Sequence, residues 1–315
     1  MGDVETIPTG NADTASNKGT GTILGRGWSR RRVLVVGAGL CAGGVLLPKA
    51  VQMLRDNDPR QGLSVVFEDD FDDPASIDID GTNTQAKWFT DLPWRESRTP
   101  AECVGVADSV LLLNQVEETG NWAVASRSPW TGRGRIFKYG YYEARLAFES
   151  APEYPTDGFP AFWSLPVGQQ NYTPDRHYVE IDFFEAMTEP GERYDGHFSG
   201  VVHDIHLTES YEQEYRWFNL NNRSKRPVVL DDGWHTYGCY WEPGRLRWYF
   251  DDRLMHEVVY RRDRTPSSPV MRFPTGEKNG PKGLFTVADE VEGVSVILGT
   301  APGWPVRVDW VRIWA

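Results

Sequence analysis

The sequence predicts an all-β protein, an antiparallel β-sandwich of the jelly-roll kind with one sheet curved into a cleft. Three observations carry that prediction. No long stretch with a 3.6-residue apolar period follows residue 60. Short runs with a period of two recur instead, separated by Gly, Pro, Asn and Asp. The chain has 315 residues, 40% of them hydrophobic, enough for one large core. All-β sandwiches of about 200–250 residues are routinely single domains.

The elements follow in order. Ser109 to Leu113 reads as a strand. Tyr142, Ala144, Leu146 and Phe148 alternate with Tyr141, Glu143 and Arg145, so one face of a second strand meets the core. Leu246, Trp248 and Phe250 alternate with Arg245, Arg247 and Tyr249 before an Asp251-Asp252 turn. Val306, Val308 and Trp310 alternate with Arg307 and Asp309. No internal repeat is visible, and residues 61–315 read as one domain.

The run Tyr178-Val179-Glu180-Ile181-Asp182-Phe183-Phe184-Glu185 sets three carboxylates into an apolar strand. Val179, Ile181 and Phe183 alternate with Glu180 and Asp182. Strict alternation would then turn Phe184 outward and drive Glu185 into the core, where an unpaired carboxylate costs several kcal/mol or is neutralised. One extra residue at Phe183-Phe184, a β-bulge, cures both faults. It keeps both phenylalanines on the core side and returns Glu185 to the face of Glu180 and Asp182.

Three acids on one face suit glycoside hydrolysis. That reaction needs two carboxyls about 5–5.5 Å apart for retention, or roughly 6.5–9.5 Å apart for inversion. Glutamates four strand positions apart lie about 13 Å apart at Cα on a flat strand. Long side chains leaning together on a concave sheet close most of that gap. Asp182 between them would help push their pKa values apart. A solvated strand face with acids at alternate positions is the other reading of the same pattern.

The first sixty residues are of another kind. Met1 to Trp28 is polar, rich in Gly, Thr and Asn, and reads as disordered. Arg30-Arg31-Arg32 then precedes an apolar run, Val33 to Leu47, closed by Pro48. Fifteen residues are too few for an ordinary membrane-spanning helix, which needs about 20, and suit a signal-peptide core. The long polar lead, the arginines and the Gly/Ala content resemble a twin-arginine export signal. The protein is therefore expected to be exported; an uncleaved anchor stays open, because no A-x-A site follows. Cys41 completes no lipoprotein motif. Val33 to Ala42 also imitates the strand and glycine turn of a dinucleotide site. Asp56 and Asp58 fall near the required spacing but have no strand before them.

Charge and cysteine narrow the partners. A net charge of −12 argues against nucleic acid or an anionic membrane and suits a neutral polysaccharide. Of the 13 tryptophans, a part is expected to stack on sugar rings and the remainder to pack the core. Cys103 and Cys239 could pair only if the fold brings them together. No Cys and His cluster has zinc-ligand spacing.

Around the acids lie Tyr139 to Leu146, Gly158 to Pro166, His235 to Trp241, Trp248 to Asp251 and Val308 to Trp314. In this order these blocks resemble glycoside hydrolase family 16, the laminarinase, lichenase, agarase and carrageenase group with a concanavalin A-like sandwich. Val66 to Phe71 with Lys87-Trp88 resembles its first strand and turn. The resemblance runs from about Ser64 to Trp314. It implies a retaining endo-β-glycanase, a transglycosylase of the same family, or a sugar-binding sandwich that has no catalysis, acting as a monomer. Glu180 would be the nucleophile, Glu185 the general acid/base and Asp182 the assisting carboxylate. Trp163 would stack on sugar; its other reading is a core residue. His203 would hydrogen-bond Glu185 or substrate, or else lie on the surface. No cofactor is implied beyond a structural calcium, for which the resemblance offers Asp309 together with backbone carbonyls near the first strand. The loop Val167 to His177 and His177-Tyr178-Val179 depart from the familiar pattern, which bears on substrate choice. The extra residue among the acids favours the laminarinase, agarase and carrageenase side.

Overall fold

Runs with a period of two become strands wherever the chain is described. The structure, a computed structural model, describes residues 58–113, 122–148, 160–167, 177–186, 199–206, 233–259, 291–300 and 304–315. They all belong to the unit Lys49–Ala315. The export signal or anchor expected before residue 48 lies outside the described residues, as do Asp56 and most of the Val167 to His177 loop.

The described strands are β1 (Val65–Asp69), β2 (Ile77–Asp78), β3 (Trp88–Phe89), β4 (Val104–Ala107), β5 (Val110–Leu113), β6 (Trp122–Ala125), β7 (Gly140–Phe148), β8 (Ala161–Pro166), β9 (His177–Glu185) and β10 (Ser199–His206). Then come β11 (His235–Glu242), β12 (Arg245–Phe250), β13 (Arg253–Val259), β14 (Val294–Thr300) and β15 (Val306–Trp314). They form two sheets. One runs β13-β12-β11-β7-β15-β5-β4, with β1 paired to β15; the other runs β10-β9-β8-β14-β6-β3-β2. Every pairing among these strands is antiparallel except β2 with β3. The expected all-β antiparallel sandwich is the fold.

The core lies between the sheets. Tyr142, Ala144, Leu146 and Phe148 of β7 are buried there, as the alternation predicts, with Leu246 and Trp248 of β12. Facing them are Phe162 of β8, Ile181, Phe183 and Phe184 of β9, and Val296 and Leu298 of β14. Burial of that many aromatic and aliphatic side chains, each contributing about 1.5–3 kcal/mol relative to exposure, is the main force holding the layers together.

Two expectations are corrected. Ser109 is not a strand residue: Asp108 and Ser109 both have positive φ, 52° and 58°, and form the two-residue turn between β4 and β5. Asp251 and Asp252, at 45° and 63°, make the predicted turn between β12 and β13. Positive φ at both central positions is what a type I′ hairpin requires, because its twist matches that of the strands. The second correction concerns β15, whose register on β7 shifts between Val308 and Trp310. Beyond that shift, Val311 and Ile313 join Val306 and Val308 in the core, and Trp310 leaves it half-buried. The alternation read through Trp310 therefore stops at Val308.

Cys103 and Cys239 are separate buried thiols.

Candidate active site

The acid strand has the predicted bulge. Against β8, Phe162 pairs with Phe184 but the next pair is Trp163 with Asp182, so Phe183 is the extra residue. Against β10, Ser199 pairs with Glu185 and Val201 with Asp182, so one β10 residue spans the two phenylalanines and the same strand carries one residue too many from the other side as well. Phe183 and Phe184 are both fully buried in the core. Phe183 stacks on Tyr142 at 4.6 Å and meets Phe162 edge-on at 4.9 Å. Phe184 lies 4.1 Å from Tyr237 of β11 and 5.5 Å from Phe148. Aromatic rings of the opposite sheet thus hold both bulge residues inward.

With Ile181, Phe183, Phe184 and Ala186 in the core, the pleat turns Glu180, Asp182 and Glu185 to the outward face. They differ in exposure. Glu180 is half-buried, while Asp182 is 1% and Glu185 7% exposed. Burial holds the Asp182 carboxyl well above the usual carboxylate range, since a low-dielectric setting disfavours the charged form. The Ser164 hydroxyl donates to the Ile181 carbonyl at 3.2 Å, fixing the backbone next to it.

Trp163 stands beside Asp182 in the ladder. It belongs to a small apolar cluster, separate from the core, formed by Leu92, Ala123, Ala125, Leu165 and Ile297. These positions alternate with core residues on β6, β8 and β14, so the cluster lies on the outward face with the acids. Trp163 is half-buried against this second cluster. Trp94 packs on it with ring centroids 5.2 Å apart and planes inclined by 33°. The segment carrying Trp94 is tied down beside β6: the Thr99 hydroxyl donates to the Ala123 carbonyl at 2.6 Å, and the Arg95 guanidinium lies 4.5 Å over the Trp122 ring. Trp94 was missed in the sequence because its segment has no period; Pro93-Trp94 after a strand was the only signal.

His203 is brought to the acids by backbone pairing. The register sets it opposite Glu180, whereas the β10 partner of Glu185 is Ser199.

Asp309, the residue offered for calcium, is paired with a cation of the protein. Its Oδ2 accepts from Arg145 Nη1 at 2.5 Å, so a guanidinium already supplies the positive charge that calcium would bring. No group of three or more His, Cys, Asp or Glu side chains that could hold a metal occurs among the described residues.

Residues 116–282 match the family model described as Glycosyl hydrolases family 16. The chain is 25% identical over 224 residues to a β-glucanase of Rhodothermus marinus, a match that covers 67% of this chain and 70% of that protein. It is 26% identical over 196 residues to endo-1,3-1,4-β-glycanase EglC of Rhizobium meliloti (strain 1021), 56% of this chain. That match spans only 37% of the Rhizobium protein. A laminarinase structure from Rhodothermus marinus superposes with a TM-score of 0.52 at 19% identity, over 80% of this chain and 97% of that one. At that identity the likeness is one of fold.

Proposed function

The chain belongs to glycosyl hydrolase family 16 and is a glycosidase; from that premise we propose that it is a retaining endo-β-glycanase acting on a β-linked polysaccharide of the β-1,3-glucan or galactan type. The observation that carries the reading is the bulged strand, which gathers Glu180, Asp182 and Glu185 on one outward face. Beside them Trp163 and Trp94 form an aromatic surface, and aromatic faces are where sugar rings stack. The glucanase and glycanase names of the relatives support this substrate class.

In the proposed mechanism Glu180 attacks the anomeric carbon as the C–O bond to the leaving sugar breaks. Glu185 gives its proton to the departing oxygen. A glycosyl ester on Glu180 results. Glu185, now a carboxylate, takes a proton from water, whose oxygen attacks the anomeric carbon and frees Glu180 with the original configuration. Asp182, between the two and held out of water, assists by biasing their protonation. His203, opposite Glu180 in the ladder, would contact that glutamate or the substrate. A face that only bound sugar would have no use for a carboxyl kept so nearly dry.

A reducing-end assay on β-1,3- and β-1,4-linked glucans and galactans tests the substrate class, and NMR of the first-formed anomer tests retention. Glu180→Ala and Glu185→Ala are each expected to abolish hydrolysis without loss of fold. Azide should rescue Glu180→Ala on an activated glycoside, with a product of inverted configuration. Full activity in either variant would sink the assignment.

A further inference from the structure

Trp248 lies in the sheet opposite the acids, on β12, fully buried, yet its polar edge reaches the acid strand. The indole Nε1–H donates to the backbone carbonyl of Asp182 at 2.9 Å. This is the residue that opens the bulge. We infer that Trp248 is a positioning residue for the glycosidase reaction proposed above, its indole N–H holding the bulge of β9 and thereby the spacing of Glu180, Asp182 and Glu185. For the reaction the inference rests on that reading; the contact itself rests on geometry alone.

Three observations support it. A bulge disrupts the ladder locally, and a buried carbonyl at such a point needs a donor, because leaving one unmet is destabilising. Trp248 supplies a donor from across the core. Its neighbour on β10 is shaped to admit it. A Cβ built on Gly200 would fall 2.2 Å from Trp248 Cδ1 and 2.3 Å from Nε1. Glycine weakens a strand interior, and one sited where another group approaches closely has a packing reason. Finally, the ring cannot easily take another pose. Its pair partner His256 stacks on it, with centroids 6.2 Å apart and planes inclined by 24°. Tyr142 and Tyr237 of the same sheet press the two bulge phenylalanines inward through ring contact; the indole of Trp248 adds a hydrogen bond to the Asp182 backbone.

Packing alone and positioning predict different results. Replacing Trp248 by 3-benzothienylalanine keeps the ring's shape and removes the N–H. That variant is expected to fold with a Tm within a few degrees of wild type. Its kcat should fall by about tenfold to a hundredfold, the scale of small misplacements at a reacting centre, with KM changed less than about twofold. The limbs of its kcat–pH profile should move, and so should the carboxyl titration midpoints of 13C-labelled Asp and Glu followed by NMR. Gly200→Ala, which pushes the indole away, should reproduce the loss. Combined with the 248 replacement it should add little further loss, because both act through one contact. Wild-type kcat, pH profile and titration midpoints in the benzothienyl variant would overturn the inference. Absence of hydrolysis by the wild-type protein would instead remove the reaction assigned above, and the NMR titrations would still decide whether Trp248 positions the carboxyls.

Discussion

The sandwich buries a carboxylic acid almost completely on the outward face of each sheet, and the neighbours of the two differ. Glu143, on β7, is 1% exposed, and Asp182, on β9, is equally so. Around Glu143 the fold has gathered compensation. Tyr141 donates its hydroxyl at 2.9 Å, and Arg60 lies 3.4 Å away, itself paired with Asp252 at 2.6 Å. Gly238 makes this possible, for a Cβ there would fall 2.2 Å from the Tyr141 hydroxyl. Asp182 has two more acids, Glu180 and Glu185, on its own face of its own strand. Burial raises both carboxyls, Glu143 to about 7 despite Arg60 and Tyr141. Glu143 is buried with a counter-charge beside it; on the function proposed above, the acids gathered around Asp182 would let protons be shared and roles diverge.

The largest effect that could break this comparison is on turnover. Asp182→Asn is expected to lower kcat by about a hundredfold or more, the range of general acid–base contributions, with the fold intact by circular dichroism. Glu143→Gln should leave turnover at pH 6 unchanged. A Glu143→Gln protein as inactive as the Asp182→Asn protein would erase the distinction.

The next effect is on stability against pH. The folded pKa of Glu143 is raised from 4.5 to about 7. Between those values the unfolded chain has lost the proton and the folded chain has kept it, so stability falls as pH rises through the window. Below about 4.5 the contribution is fully present, and above about 7 it is gone. Thermal unfolding at pH 5 and pH 8 should therefore show a larger drop in Tm for wild type than for Glu143→Gln. Asp182 shifts in the same direction but is present in both proteins, so the difference isolates Glu143. The smallest effect is expected from Arg60→Ala. Arg60 is partly solvent-exposed, so its pairings are screened and worth about 1 kcal/mol or less. The Tm should fall by a few degrees at pH 8 and by less at pH 5, where Glu143 is neutral; an equal fall at both would mean that Arg60 acts by packing and not by charge.

Two bulges show how much was legible beforehand. On β9 the shift could be read from residues alone, because strict alternation would have buried Glu185 and exposed Phe184, an error in polarity on both faces. On β15 the same device went unread. Strict alternation there places Trp310 in the core and Val311 outside, and neither choice offends: a tryptophan is at home half-buried, and a lone exposed valine is ordinary. Register shifts are visible in sequence only where they rescue a charge. Ser109 was misassigned for a related reason, since positive φ at Asp108-Ser109 is a property of the hairpin's twist that residue type states weakly. Glu143 looked like a solvent-facing position, because the Arg60 that covers it is 83 residues away. The contacts of Trp94 and Trp248 are equally non-local: alternation placed Trp248 in the core, but nothing nearby in the chain names the carbonyl its indole meets.

The strand order has a consequence for the timing of assembly. β14 joins β8 to β6 in one sheet, and β15 joins β7 to β5 in the other. Both are interior strands, and in chain order they are the last two of the described strands. As the polypeptide leaves the ribosome, β9 can pair with β8 and β10, but the two halves of its sheet have no common neighbour until Val294–Thr300 emerges. β7 likewise waits for Val306–Trp314, whose pairing with β1 spans almost the whole described chain. Closing such distant pairings is entropically slow. Neither sheet can be completed before its last described strand emerges, so the nascent protein must pass through a stage with four open edges at its centre, a stage in which exposed strand edges need protection from other chains.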